Sequence, residues 1–188
     1  MLGLMMNSPL TINSVMNYAD KIFPDVEIVS VTSDNPRHKY TYKQAFTRTR
    51  QLANALKKLD LKPSDRVATL AWNDHRHFEL YYAISCSNYV CHTINPRLFS
   101  DQIKYIINHA EDQYVFLDPM FVSNLEAFQH ELKTVKGFIV LTDKENMPET
   151  SLNNVHCYEE LIQGESEEFE FPDIEENEAS SLCYTSGT

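Results

Sequence analysis

The sequence predicts an α/β protein: a mostly parallel sheet flanked by helices, with a small hairpin near the amino terminus. Two observations carry this expectation. Short apolar runs alternate along the chain with stretches whose apolar residues recur at helical spacing, the pattern of strands buried on both faces beneath crossover helices. The 188 residues, 43% hydrophobic and 23% charged, have the size and composition of one globular domain.

Taken in order, residues 11–24 predict a first helix, capped by Asn13 or Ser14, with Val15, Met16, Tyr18 and Ile22 as apolar positions and Pro24 as the stop. Residues 27–33 and 39–42 predict a hairpin around Asp34-Asn35-Pro36. The clearest helix is 42–59. Thr41 and Gln44 have capping-box spacing, and Tyr42, Ala45, Phe46, Thr49, Leu52, Ala53, Leu56 and Leu59 form one face. A turn at 62–65 leads to a strand at 66–72.

Asn73 or Asp74 then caps a helix to about Ser87, with Phe78, Tyr81, Tyr82 and Ser85 on one side. A strand follows at 89–94. Ser100 caps a helix whose Ile103, Ile106, Ile107 and Ala110 fall at i, i+3, i+4 and i+7. Strands are expected at 114–117 and 138–141 with a helix at 119–132 between them, then a short helix at 158–163. An acidic loop at 164–179 precedes a last strand at 181–184.

Several classes are excluded by residue type. No apolar run exceeds five residues, Leu80 to Ile84, whereas a membrane span needs about 18 or more, so no transmembrane segment is expected. The Met-rich opening, residues 1–10, lacks the basic flank and sustained apolar stretch of a signal peptide. Net charge is −11, and 12 of the 27 acidic residues but none of the 16 Lys and Arg fall in residues 145–188. A balanced body with an acidic end offers no basic stripe for nucleic acid. Cys86, Cys91, Cys157 and Cys183 contain no Cys-x-x-Cys and read as free thiols of a reducing compartment. The seven histidines lack metal-ligand spacing and read as polar surface or capping residues.

Ligands of parallel sheets sit beyond the carboxyl ends of the strands. The segments there are Trp72-Asn73-Asp74, Asn95-Pro96-Arg97, Asp118-Pro119 and Thr185 to Thr188. With only four glycines, the chain has neither a dinucleotide loop nor a Walker loop. Thr185, Ser186, Gly187 and Thr188 nevertheless have the parts of a phosphate cradle. Their hydroxyls donate to phosphate oxygens or ligate a hard Mg²⁺ ion, and the glycine lets backbone N–H groups approach an anion. Ordinary turns use the same residues.

Residues 178–188, Glu-Ala-Ser-Ser-Leu-Cys-Tyr-Thr-Ser-Gly-Thr, resemble the strand and opening half of the phosphate loop of AMP-forming acyl-CoA synthetases, the adenylate-forming superfamily. Ala71-Trp72-Asn73 with Arg76-His77, Glu79 and Tyr81-Tyr82-Ala83 is similar to the branch acting on medium-chain fatty acids. So are residues 90–98 and 105–112, and the resemblance runs in order along the whole chain.

The resemblance implies that residues 1–188 are the N-terminal part of an AMP-binding domain, truncated inside its phosphate loop. It implies a fatty-acid–CoA ligase that uses ATP, Mg²⁺ and coenzyme A, cytoplasmic, and it suggests a homodimer. Thr185, Ser186, Gly187 and Thr188 would hold phosphates, with Thr185 on the metal. No catalytic residue is assigned, and the isolated chain is expected to be inactive. Two other readings stand beside it: a free-standing acidic interaction module without catalysis, docking through residues 159–178, and a nucleotide-binding α/β protein unrelated to acyl transfer.

Overall fold

The computed structural model describes residues 3–32 and 34–185. Helix α1 (Ile12–Ile22) starts after Thr11, whose carbonyl accepts the Ser14 N–H and hydroxyl at 3.1 and 2.6 Å, so the expected Asn13 or Ser14 cap lies one turn too far in. Only Met16 of its four expected core positions is buried; Val15, Tyr18 and Ile22 are each more than half exposed. Strands β1 (Glu27–Ser30) and β2 (His38–Thr41) form the antiparallel hairpin, with Ile28 opposite Tyr40.

Helix α2 (Tyr42–Lys57) follows without a break. Thr41 Oγ1 accepts the Gln44 N–H at 3.3 Å and Gln44 Oε1 accepts the Thr41 N–H at 2.9 Å, satisfying two of the helix's orphan donors. Its buried face is the expected one from Ala45 to Leu56, joined by Ala55.

The remaining elements are β3 (Arg66–Leu70), α3 (His75–Cys86), β4 (Val90–Thr93), α4 (Ser100–Ala110), β5 (Tyr114–Leu117), α5 (Val122–Glu126), β6 (Gly137–Val140), β7 (Val155–Cys157), α6 (Tyr158–Ile162) and β8 (Ser181–Cys183). Strands β3 to β8 make one parallel sheet in the order β7-β6-β5-β3-β4-β8. Strand side chains alternate between two cores. Val67, Cys91, Phe116 and Ile139 face Leu52 and Leu56 of α2, Leu80 and Ile84 of α3, and Tyr158 of α6. Ala68, Leu70, Val115, Leu117, Phe138 and Val140 face Ile103, Ile106 and Ile107 of α4 and Val122 and Leu125 of α5.

Elsewhere the structure departs from the expected elements. The helix expected over 119–132 is broken into a 3₁₀ turn at Pro119–Phe121, α5, and a second 3₁₀ turn at Gln129–Glu131. Phe128 leaves helical geometry, with φ −135° and ψ 11°, to bury its ring in the α5 core. Strand β7 had no sequence signal, being three residues long and flanked by Asn153, Asn154 and an adjoining helix. Helix α3 departs as well. Of Phe78, Tyr81, Tyr82 and Ser85 only Ser85 is buried, whereas His75, Arg76, His77 and Glu79 are. Phe78 and Tyr82 instead pack half-buried with Phe46 and Met16, where α1 meets α2 and α3.

The buried charges are paired. Arg48 Nε donates to Glu79 Oε1 at 2.8 Å, and its two terminal nitrogens donate to Glu159, both at 3.0 Å. Tyr158 donates its hydroxyl to Glu79 Oε2 at 2.6 Å. Arg76 joins Glu159 to Asp34. Burial, with repulsion from Glu159, raises the Glu79 carboxyl, and Arg48 and the Tyr158 hydroxyl pull the other way. Such a network is tolerable in a dry interior only because nearly every charge has a partner.

The acidic segment carries neither helix nor strand over residues 163–180, yet it is tied down. Asn54 Nδ2 donates to the Ser166 and Glu168 carbonyls, both at 2.9 Å, and Arg50 Nε to the Glu167 carbonyl at 2.9 Å. Lys58 pairs with Glu165, and Glu176 accepts the Leu10 N–H at 2.9 Å. The segment must carry the chain from α6, beside β7 at one sheet edge, to β8 at the other, and α2 holds it on the way.

His38 and His75 stack at 3.7 Å between centroids and 13° between planes, locking β2 onto α3. Burial pushes His75 down to about 2, with His38, Arg76 and Arg48 adding repulsion, and His38 is lowered in the same way. A group with a depressed folded pKa supplies stability above its unfolded pKa, about 6.5, and loses it as pH falls. Stability should therefore drop below about pH 6.5 by up to ~1.4 kcal/mol per pH unit from His75. Asp118, raised to about 6, acts in the opposite sense over its own window. Denaturant titrations at pH 7.5, 6.5 and 5.5 on wild type and His75→Gln isolate the histidine: the gap between the two should narrow as pH falls.

Candidate functional site

The connection after β3 runs over one face of the sheet through α3, and that after β5 runs over the other through α5. The β3/β5 boundary is thus a topological switch point, where the two chains diverge and leave a crevice beyond the carboxyl ends.

The residues there are tightly arranged. Asp74 caps α3 by accepting the His77 N–H at 2.9 Å. Asp118, just past β5, accepts the Trp72 N–H at 2.8 Å, and the Trp72 indole N–H meets the Met120 sulfur at 3.1 Å. The Arg97 guanidinium lies 5.7 Å from the Trp72 ring centroid, a cation–π contact, and Asn95 Oδ1 accepts the Arg97 N–H at 3.0 Å. Beneath them, His77 bridges the Trp72 carbonyl at 3.1 Å and Thr69 Oγ1 at 3.0 Å. A carbonyl only accepts, so His77 Nδ1 carries the proton and Nε2 accepts from Thr69. Burial lowers the His77 pKa, which keeps that neutral tautomer in place.

A recess of about 90 Å³ opens here, lined by Val31, Thr32, Trp72, Asp74, Asp118, Pro119 and Met120. Burial raises the Asp74 carboxyl and pushes Asp118 up to about 6, against the opposing pull of the Trp72 N–H. The recess is apolar, with two carboxyls whose charge is easily quenched, and a cation sits on the Trp72 face at its rim.

At the other side of the edge, β8 pairs with β4 in the register Cys91–Ser181, His92–Leu182 and Thr93–Cys183. Thr185 follows β8 by two residues and is exposed. Ser186, Gly187 and Thr188 lie outside the described residues. The structure thus brings Trp72, Asp74, Asp118 and Arg97 together and places Thr185 past the end of a parallel strand of the same sheet. Among the described residues no group of three or more His, Cys, Asp or Glu could hold a metal ion.

The sequence pointed to the strand-end segments but not to the His77 brace or the Arg97–Trp72 contact. It also read the histidines as surface residues, whereas His75, His77 and His92 are buried. His92 Nδ1 lies 2.8 and 3.0 Å from the two oxygens of Asp112, and neither side chain has any exposure. The one available signal was the strand position of His92, where a polar residue needs a partner. Of the cysteines, Cys86, Cys91 and Cys157 are buried and Cys183 is exposed, all unpaired; burial pushes the Cys86 and Cys91 thiols up to about 12, so both are inert.

Fold and edge define a doubly wound α/β protein with a crevice at the carboxyl side of its sheet. The chain belongs to the AMP-binding enzyme family, whose profile matches residues 17–188. It is 45% identical over 188 residues to a medium-chain-fatty-acid–CoA ligase of Ectopseudomonas oleovorans, covering 100% of this chain and 34% of that protein. It is 44% identical over its full length to a 3-methylmercaptopropionyl-CoA ligase of Ruegeria lacuscaerulensis, of which it covers 35%. The chain therefore spans about a third of the length of these relatives. Among solved structures, the anthranilate CoA ligase AuaEII in complex with anthranoyl-AMP superposes with a TM-score of 0.83 at 16% identity, over 97% of this chain and 33% of that one. At that identity the likeness shows the fold alone. Among the described residues no helix is long and apolar enough to cross a membrane.

Proposed function

We propose that this chain is the N-terminal part of an AMP-forming ligase that activates a fatty carboxylate. The carboxylate oxygen attacks the α-phosphorus of ATP, pyrophosphate leaves, and the acyl-adenylate forms. The thiol of coenzyme A then attacks the acyl carbon and AMP leaves. A carboxylate is a poor electrophile; joining it to AMP supplies a good leaving group. The observation that carries the reading is the family match over residues 17–188, and the names of the relatives support fatty or similarly sized acids.

In this reading Thr185, Ser186, Gly187 and Thr188 donate to the phosphates, and the Thr185 hydroxyl is a ligand of Mg²⁺. The donor set fits: one hard oxygen is what a Mg²⁺ ion takes from protein when phosphates and water supply the rest. Bound there, the ion would neutralise charge on the phosphates. The switch-point recess supplies a second place at the same edge for substrate, with Trp72 and Arg97 at its mouth. The acidic segment at 164–179 serves as a connector within the AMP-binding domain. A cytoplasmic enzyme is proposed, and the exposed Leu4, Met5, Met6 and Leu10 support a homodimer.

The test is ATP–pyrophosphate exchange with medium-chain carboxylates. The longer enzyme containing this chain should show acid-dependent exchange and elute as a dimer on a calibrated sizing column, whereas residues 1–188 alone should show no exchange. Exchange that ignores the acid would reject the ligase reading. Activity of the isolated chain would reject its dependence on the remainder.

A further inference from the structure

We infer that Tyr184 and His109, seated against the buried His92–Asp112 pair, form a positioning device for the hydroxyl of Thr185. The inference rests on the phosphate-holding role proposed above for Thr185.

Strand β8 is poorly equipped to aim the chain that leaves it. It is three residues long and, among the described residues, pairs with β4 alone. Ser181 and Cys183 are exposed and Leu182 is half-buried. Tyr184 supplies what the strand lacks. Its hydroxyl is 2.6 Å from His109 Nδ1 on α4, with the rings edge to face at 5.8 Å and 82°. Tyr105 stacks on His109 at 5.5 Å, fixing that ring in turn.

The Tyr184 ring also packs on His92, 5.2 Å between centroids. His92 cannot swing, because Asp112 holds its Nδ1 with both oxygens in a site without solvent. Burial raises the Asp112 carboxyl and His92 counters it. His92 Nε2 has no hydrogen-bond partner among the described residues, so the imidazole does not relay a network onward. What it offers Tyr184 is a ring face in a fixed place. The next residue is Thr185, so the angle at which the chain leaves Tyr184 decides where the Thr185 hydroxyl falls. Misplacement by about 1 Å is enough to weaken such a contact severely.

The experiment is titration of MgATP by calorimetry into the enzyme that contains this chain, as wild type, Tyr184→Phe, His109→Phe, the double variant and His109→Asn. Each single variant should weaken ATP binding about three- to tenfold, the effect of one hydrogen bond. The double variant should be no worse than either single one, since both remove the same bond. His109→Asn, which keeps a hydrogen-bonding atom near the hydroxyl, should return to within about twofold of wild type. Thermal midpoints are recorded for each. An unchanged ATP affinity in Tyr184→Phe, with or without a lower midpoint, overturns the inference and leaves Tyr184 a packing residue. Additive losses in the double variant overturn it as well. The two readings fail separately: tight ATP binding that responds to these variants without acid-dependent pyrophosphate exchange upholds the positioning role and sinks the ligase.

Discussion

Replacing Arg76 with alanine should lower the unfolding free energy by about 3–5 kcal/mol, the usual cost of breaking a buried ion pair by deleting one partner. Arg76 Nε donates to Glu159 Oε1 at 2.8 Å, and its terminal nitrogens donate to the two Asp34 oxygens at 2.8 and 3.2 Å and to the Leu141 carbonyl at 3.3 Å. The Arg76 and Asp34 side chains are 6% and 5% exposed, so water cannot take over when the guanidinium is gone. Burial by itself would raise Asp34, but Arg76 and Thr32 hold it down to about 2. In the variant that carboxylate is left buried without its countercharge, while Glu159 keeps only Arg48.

Arg76→Lys should recover part of the loss, because it restores the charge without the planar fork that meets two carboxylates at once. Urea denaturation at pH 7 checks both. A loss under about 1 kcal/mol for Arg76→Ala would show that the pair behaves as an exposed one. Asp34 shares a loop with Val31 and Thr32, which line the switch-point recess. The same variant should therefore loosen one wall of the candidate site.

Gly137→Val should destabilise the sheet by about 1–3 kcal/mol, as for other overpacked sites. A Cβ at Gly137 would lie 2.6 Å from Asn154 Nδ2 and 2.7 Å from the Asn154 carbonyl oxygen. Neither group is free to retreat. The Asn154 carbonyl accepts the Phe138 N–H at 3.1 Å, and its side chain donates to the Lys136 carbonyl at 2.7 Å. Asn154 is itself left-handed, with φ 50°. The larger side chain must push β7 off β6, and amide hydrogen exchange should show it as lost protection over residues 155–157. If the denaturation midpoint and those amides are unchanged, Asn154 does not pin the edge as described.

How far the sequence could be read depended on how far away each residue's partner lay. The α2 face and its capping box involve residues within a few positions of each other, and both were legible. In α4 the same holds for Ile103, Ile106, Ile107 and Ala110, all buried. Helix α3 misled because Phe78, Tyr81 and Tyr82 face a shallow packing region and solvent, while Arg76 and Glu79 share its buried side with Leu80, Ala83 and Ile84. Nothing near Glu79 in the chain announces that Arg48 lies 31 positions away or Tyr158 79 positions away. In the candidate site the strand-end segments were visible as segments, but their meeting was not. Trp72 and Asp118 are 46 positions apart, and their contact exists only because β5 pairs with β3.

The sequence by itself determined the alternation of strands and helices, the main helical faces and the hydroxyl-rich stretch that follows the last strand. Those features follow from residue type and short-range spacing, which persist in any conformation of the chain. The tertiary structure alone decided the strand order, and with it the switch point, the recess at Trp72 and Asp118, and which charges could be taken out of water. Burial of an Arg or Glu is tolerable only opposite a partner already in place, and that partner arrives through the packing of elements remote in the chain.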